Sequence, residues 1–454
     1  MEKTLIVFLA ALSLIACQTN KTSDPVSETK LQFHKWSPTP PMGWNSWDAY
    51  GPTVVESEVK ANADYMAKYL KKYGWEYIVV DIRWYVENDK SGGYNEVNPI
   101  YVLDDYGRVT PALNRFPSAA DGKGFKPLAG YIHSKGLKFG IHIMRGVPVI
   151  AVKKNTPILG SDAKAADIYT PEGQCMWLRD MYGVVAGKPG AQEYYNSLFQ
   201  LYASWGIDFV KIDDLSGRTL EIEMYRKAID NCGRPIVISI SPGGDRPETT
   251  DFLKKNVNMW RTSNDFWDNW PQLKNQFAVL QRWIGLGAPG CWPDGDMLPL
   301  GKIGLRAERG EPRWSGFTKD EQYTLMTLFS IFRSPLMFGG DLPGNDEFTL
   351  SLITNKDVLK VNQKSTNGKQ LFRKNDFIAW TADDPKTGDK YLALFNASDS
   401  LPADTAAITV TFEQLGLTGV HSVKDLWTGE KLGKFSGEFT RTINRHGAGL
   451  YRIH

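Results

Sequence analysis

Short apolar runs, each closed by a polar or aromatic residue, recur between Met42 and Leu342: MGWNSW (42–47), YIVVDIRW (77–84), LKFGIHIMRG (137–146), IDFVKIDD (207–214), PIVISISPGG (235–244), NMWRTSND (258–265), GCWPDGDML (290–298) and SPLMFGGDL (334–342). Between them lie helix-like segments such as SEVKANADYMAKYLKKYG (57–74), LAGYIHSKG (128–136), EYYNSLFQLYASWG (193–206) and DEQYTLMTLFSIFRS (320–334). Apolar runs alternating with amphipathic helices predict parallel strands buried on both faces. Eight such units across residues 36–364 predict a (β/α)8 TIM barrel with long loops rather than an open doubly wound sheet, and no glycine-rich fingerprint follows the first run. After about Asn367 the pattern changes to alternating runs, DFIAWTAD (376–383), KYLALFNAS (390–398) and AAITVTFEQ (406–414), with no helix of any length. These predict an antiparallel β-sandwich domain over residues 365–454. The stretch 148–190, containing Gly, Pro and Trp, reads as a long loop overhanging the third and fourth strand ends.

Chemistry in such barrels sits at the C-terminal ends of the strands, so the residue that closes each run carries the information. Those residues are Trp47 or Asp48, Asp81, Arg145, Lys211 with Asp213, Ser241, Arg261 with Asp265, Asp294 with Asp296, and Asp341. In IDFVKIDD the two-residue period puts Phe209, Lys211 and Asp213 on one face of the strand. A lysine beside a carboxylate favours the ionised form, which a nucleophile at a sugar carbon needs. Arg261 and Asp265, four apart where a strand runs into its loop, supply a second carboxylate with a cation nearby. Two carboxylates facing one pocket suffice for glycoside hydrolysis; paired acids on barrel strands also bind metals or form structural ion pairs.

Composition narrows the class. A formal net charge of +2 over 454 residues gives no basic field for nucleic acid, while 15 Trp and 19 Tyr supply flat amphipathic rings suited to sugars as well as to core filling. At the N-terminus, Lys3 precedes an apolar run from Leu5 to Ala16 that is too short to span a bilayer and suits a signal peptide over residues 1–16. Leu14-Ile15-Ala16-Cys17 resembles a bacterial lipobox, which implies export, lipidation at Cys17, a polar tether over residues 17–35, and membrane contact only through that anchor, at a periplasmic or cell-surface location. The remaining Cys175, Cys232 and Cys291 have no CxxC spacing and indicate neither a disulfide framework nor a zinc site.

The motifs TPPMGWNSWDAYG, YIVVDIRW, WGIDFVKIDDL, GRPIVISISP, MWRTSNDFWDNW, CWPDGDMLPLG and IFRSPLMFGGDL occur in one register from about Pro40 to Asn362. Together they resemble glycoside hydrolase family 27, the retaining α-galactosidases and α-N-acetylgalactosaminidases, whose fold is a (β/α)8 barrel followed by an antiparallel β domain. The resemblance implies that Asp213 is the nucleophile of a covalent glycosyl-enzyme and Asp265 the general acid/base. Lys211 would bond sugar hydroxyls and keep Asp213 anionic, Arg261 would contact the 2-position side, and Trp47 would wall the ring. Asp81 would grip the axial 4-hydroxyl, with Asp296 and Met297 lining the same pocket. This chemistry needs no metal or organic cofactor, and its partner is a plant or host glycan.

The chain departs from that pattern at the strand end. Family α-galactosidases carry two acids where this sequence has Asp81 and Ile82, and the pair holds O4 and O6 of galactose. Burying an unpaired 6-hydroxyl against Ile82 would cost on the order of 1–3 kcal/mol, roughly 5- to 150-fold. β-L-Arabinopyranose has the ring and anomeric configuration of α-D-galactopyranose without the hydroxymethyl group, and the family includes β-L-arabinopyranosidases. The alternative is that Ile82 is ordinary packing and another group serves O6. Ser241 stands where α-galactosidases carry a glutamate that contacts the 2-hydroxyl, as in the N-acetylgalactosaminidase branch. His142 stands where a tyrosine is common, and by the resemblance His142, Ile82 and Ser241 are expected among the substrate-binding residues; Leu215 stands where many relatives have a disulfide-forming cysteine. The expectation is a retaining exo-glycosidase favouring β-L-arabinopyranosides; a plain α-galactosidase or α-N-acetylgalactosaminidase, or a non-catalytic carbohydrate-binding lipoprotein, are the competing readings.

Overall fold

The computed structural model describes Met1, residues 32–399 and residues 404–454. Each of the apolar runs contains a strand: β1 (Met42–Asn45), β2 (Tyr77–Val80), β3 (Lys138–Met144), β4 (Phe209–Asp213), β5 (Val237–Ile240), β6 (Met259–Arg261), β7 (Trp292–Asp294) and β8 (Leu336–Phe338). All pair in parallel in the order β7-β6-β5-β4-β3-β2-β1-β8. Past β7, Leu298 bridges Phe338 in β8 and brings the sheet round on itself. The strands are buried almost throughout because side chains fill the interior and helices cover the outside. β1 and β2 approach closely at Gly43, where a Cβ would lie 2.6 Å from both the Cβ and the carbonyl oxygen of Tyr77, so this approach requires glycine.

The helices fall between the strands, including Glu56–Tyr65, Lys126–Ser134, Ala191–Trp205, Thr219–Asn231, Trp270–Trp283 and Lys319–Phe332. Lys319–Phe332 starts where Thr318 and Glu321 satisfy each other's backbone N–H groups. The segment 148–190 is more than a loop: it carries the helices Val149–Lys154 and Ala165–Ile168 and a small antiparallel sheet in which Met181–Val184 pairs with Val147–Pro148 and Tyr169–Thr170.

The C-terminal strands are β9 (Thr366–Lys374), β10 (Phe377–Asp383), β11 (Lys390–Asn396), β12 (Thr405–Thr411), β13 (Val420–Asp425), β14 (Lys431–Ser436), β15 (Glu438–Asn444) and β16 (Ala448–Ile453). They form a six-stranded sheet ordered β9-β10-β11-β16-β13-β14 and the pair β12-β15. Alternation along β10 and β11 explains the layering. Trp380, Ala382, Tyr391, Ala393 and Phe395 face the barrel core, whereas Ala379, Leu392 and Leu394 join Ile408, Val410 and Phe439 inside the sandwich. Phe395 meets Phe277 of a barrel helix with ring centroids 5.0 Å apart, so this face of the β domain is buried as a companion to the barrel.

The tether expected over residues 17–35 ends earlier. Gln32–Trp36 is a 3-10 helix with Phe33 buried, and Asn258 Nδ2 donates to the Phe33 carbonyl at 3.1 Å. One apolar side chain with a place in the core anchors what reads as polar sequence. Residues 1–16 and Cys17, apart from Met1, lie outside the described residues. Cys175, Cys232 and Cys291 are free thiols, and among the described residues no helix is long and apolar enough to cross a membrane.

Candidate active site

The C-terminal strand ends open into a cavity of about 800 Å³ whose wall includes Trp47, Asp81, Ile82, Lys211, Asp213, Arg261, Asp265, Asp296 and Met297. Parallel pairing sets their depth. His142 of β3 lies level with Lys211 of β4, and Met144 with Asp213, so the lysine sits one inward-facing step below the carboxylate.

Asp213 is held by short contacts from the neighbouring strands. Ser241 Oγ donates to Oδ1 at 2.9 Å, the Asp214 N–H donates to the same oxygen at 3.1 Å, and His142 Nε2 faces Oδ2 at 3.3 Å. Burial alone would raise this carboxyl; the hydrogen bond and charge of His142, with Lys211 and Arg261, outweigh it and hold the group well below the usual carboxylate range. The group is therefore an anion that the protein has already desolvated, which suits attack on an electrophilic carbon.

Lys211 does less for Asp213 than the sequence suggests. Its Nζ donates to Asp81 Oδ2 at 3.0 Å, and Asn45 Nδ2 donates to the same oxygen at 2.7 Å. The Ile82 N–H donates to Asp81 Oδ1 at 2.9 Å. Oδ2 thus has both acceptor positions filled while Oδ1 keeps one for an incoming hydroxyl. Desolvation raises Asp81, but Lys211 and then His142 more than offset it, leaving its carboxyl below its ordinary value.

Ser241 and His142 lie back from the cavity. Ser241 is 1% exposed and spends its hydroxyl on Asp213, while the next residue, Pro242, takes the cavity wall. His142 is wholly buried behind Asp213, and its carbonyl accepts the Trp84 indole N–H at 2.7 Å. Both residues contact the Asp213 carboxylate, and neither is part of the cavity lining.

Arg261 organises the opposite wall. Its Nη2 donates to Asp265 Oδ1 at 3.0 Å and its Nη1 lies 3.0 Å from Asp296 Oδ1. The Asp265 side chain is 56% exposed, against 17% for Asp213. One carboxyl is mostly enclosed and held as an anion, while the other stands open to water, an asymmetry of the kind that paired-carboxylate glycoside chemistry uses.

Further acids surround these. Burial, Asp265 and Asp294 push Asp296 up to about 7 against the pull of Arg261. Asp48, the alternative to Trp47 at the end of the first run, lines the cavity together with it and has Oδ2 unpartnered among the described residues. Burial and the nearby Asp296 raise it well above the carboxylate range. A Cβ on Gly339 would lie 1.9 Å from that oxygen, so this approach requires glycine in FGGD. The folded chain keeps the Asp296 proton that an unfolded chain loses near pH 3.8. This group's stabilising contribution is full below that pH and is lost as pH rises to about 7, at up to about 1.4 kcal/mol per pH unit. Asp296→Asn should therefore flatten the fall of Tm between about pH 5 and 7. An unchanged slope in calorimetry would contradict it.

Sequence patterns also missed the outer wall. Tyr94, from the excursion after β2, and Glu308 with Arg309, from the excursion after β7, line the cavity. Trp47 stacks on Tyr94 with centroids 5.8 Å apart. Met176 and Trp177 of the 148–190 segment reach the same cavity, as its position predicted.

A (β/α)8 barrel with a carboxylate pair and aromatic walls at its strand ends defines the class: the protein is a glycoside hydrolase. Family models described as "Alpha galactosidase A" and "Alpha galactosidase C-terminal beta sandwich domain" match residues 173–364 and 374–453. A family 27 β-L-arabinopyranosidase from Geobacillus stearothermophilus, solved with arabinose, is 51% identical with a TM-score of 0.90, covering 93% of this chain and 99% of its own. A candidate α-N-acetylgalactosaminidase of Bacillus halodurans is 46% identical, TM-score 0.82, covering 91% and 97%. The α-galactosidase of Cyamopsis tetragonoloba is 29% identical over 91% of this chain and 85% of its own. The chain belongs to glycoside hydrolase family 27.

Proposed function

We propose that the protein is a retaining exo-glycosidase that removes terminal β-L-arabinopyranosyl residues from glycans in preference to α-D-galactosyl residues. The observation that carries the preference is Ile82, 2% exposed, in the cavity wall directly after Asp81. Asp81 Oδ1 has one acceptor position for the axial 4-hydroxyl, and Lys211, bonded to the same carboxylate, offers its remaining N–H groups to the neighbouring hydroxyl. At the next position, where a hydroxymethyl group would project, the wall is hydrocarbon. A pentopyranose packs its bare C5 there; a hexopyranose loses a hydrogen bond. The likeness to the Geobacillus arabinopyranosidase supports the same reading.

Asp213 attacks the anomeric carbon as Asp265 protonates the glycosidic oxygen, and Asp265 then takes a proton from the water that releases the sugar from Asp213. Ser241 and His142 hold the nucleophile, and Arg261 aims the acid/base. Export with a lipid anchor at Cys17 belongs to the same proposal.

The test is kcat/KM for nitrophenyl β-L-arabinopyranoside and α-D-galactopyranoside on native enzyme and Ile82→Asp. We expect the native enzyme to favour the arabinoside by roughly 5- to 150-fold and the variant to lose or reverse that preference. A native preference for the galactoside would mean that O6 finds another partner and that Ile82 is packing.

A further inference from the structure

We propose that Tyr94 and Trp177 form a platform for the leaving-group sugar, so that the enzyme acts on arabinopyranose linked to a second pyranose ring whose C–H face lies on these aromatics. This rests on the reading that the cavity floor holds the terminal pentose. Trp47, Tyr94 and Trp177 make a continuous run of rings: Trp47 to Tyr94 is 5.8 Å between centroids at 29°, and Tyr94 to Trp177 is 6.2 Å at 31°. The run climbs from the buried floor to the mouth. Trp47 is 9% exposed and Tyr94 half-buried, whereas Trp177 is 41% exposed and its neighbour Met176 is 92% exposed.

Asp265, the exposed carboxyl, also stands toward solvent, so a proton it delivers reaches a leaving group that departs outward across this run. Aromatic side chains meet the apolar C–H faces of pyranoses well, because they are flat, rigid and amphipathic. A large apolar pair left open beside the reacting bond is thus explained by what the site must hold next.

The two excursions that carry the platform are tied together underneath. Arg83, wholly buried, donates from Nε and Nη2 to the two oxygens of Asp180 at 2.7 Å each. The hydroxyl of Tyr85 donates to Asp180 Oδ2 at 2.9 Å and that of Tyr101 to Oδ1 at 2.5 Å. Arg83 Nη1 donates to the carbonyl of Asn95 at 3.1 Å, fixing the chain beside Tyr94, while Asp180 fixes the segment that carries Trp177. A bidentate pair with its remaining donors satisfied holds both loops in one geometry. The platform is therefore preorganised, and little ordering entropy opposes its use.

The experiment compares kcat/KM on a disaccharide of β-L-arabinopyranose linked to a second pyranose with kcat/KM on β-L-arabinopyranosyl fluoride, whose leaving group is too small to touch the platform. In Trp177→Ala and Tyr94→Ala the disaccharide-to-fluoride ratio should fall roughly 10-fold from the native ratio, and Trp177→Phe should recover most of it. An unchanged ratio, or equal losses on both substrates, would overturn the platform. Should the native enzyme prefer galactosyl fluoride, the glycone reading falls instead, and the same ratio measured with galactosides still decides the platform.

Discussion

Asp213→Asn should abolish turnover, lowering kcat on any glycoside by on the order of 10⁴-fold or more, with the fold retained. The amide has the carboxylate's shape, so Ser241 Oγ and the Asp214 N–H can still donate to its oxygen. What changes is the second atom: an NH2 group faces His142 Nε2 where Oδ2 stood. The imidazole must then present its unprotonated nitrogen, a local adjustment worth about 1 kcal/mol. The variant should therefore unfold within a few degrees of the native enzyme while failing to form a glycosyl-enzyme. Residual activity within 100-fold of native, with an unchanged melting curve, would remove Asp213 from the chemistry.

Asp265→Ala should separate substrates by leaving group. General acid catalysis contributes about 10²- to 10⁴-fold, and it matters most when the departing oxygen is a poor leaving group. We expect losses in that range on unactivated saccharides and much smaller losses in kcat/KM on a dinitrophenyl arabinopyranoside, which needs no proton to depart. With that activated substrate kcat should still fall, because water must attack the glycosyl-enzyme without a base. Added azide needs no base and should restore turnover as a glycosyl azide of retained configuration. Equal losses on all substrates would show that Asp265 does not handle the proton. Removing it also leaves Arg261 paired only with Asp296 among the acids of the wall, so its wall should be checked for displacement.

The barrel strands were legible in the sequence because burial on both faces leaves a continuous apolar run, and several of the residues that end those runs, Asp81, Lys211, Asp213, Arg261 and Asp265 among them, enter the cavity. YIVVDIRW displays β2, Asp81 and Ile82 in order, and the period of two along β4 puts Lys211 and Asp213 together. The sandwich was legible from apolar runs with no helix between them; β10 and β11 are likewise buried on both faces, alternate residues serving the barrel core and the sandwich core. Depth was not legible. Spacing assigns a face but does not say which of several residues near a strand end reaches the cavity, and it does not show that Ser241 and His142 are buried against Asp213 outside the lining. Tyr94, Glu308 and Arg309 come from excursions without periodicity, and the sequence left Trp47 and Asp48 as alternatives where both line the cavity. The early end of the tether rests on buried Phe33 and on bonds from Asn258 to its carbonyl and between His34 and the Lys254 carbonyl, partners far along the chain.

The double displacement on Asp213 with a pentose in the pocket is tested most directly by mass spectrometry of enzyme incubated with 2-deoxy-2-fluoro-β-L-arabinopyranosyl fluoride and, separately, its α-D-galactosyl counterpart. One covalent sugar per chain is expected, located on the peptide bearing Asp213, forming faster with the arabinosyl reagent and absent in Asp213→Asn. An adduct on another residue, no adduct from an enzyme that turns over substrate, or faster labelling by the galactosyl reagent would contradict it.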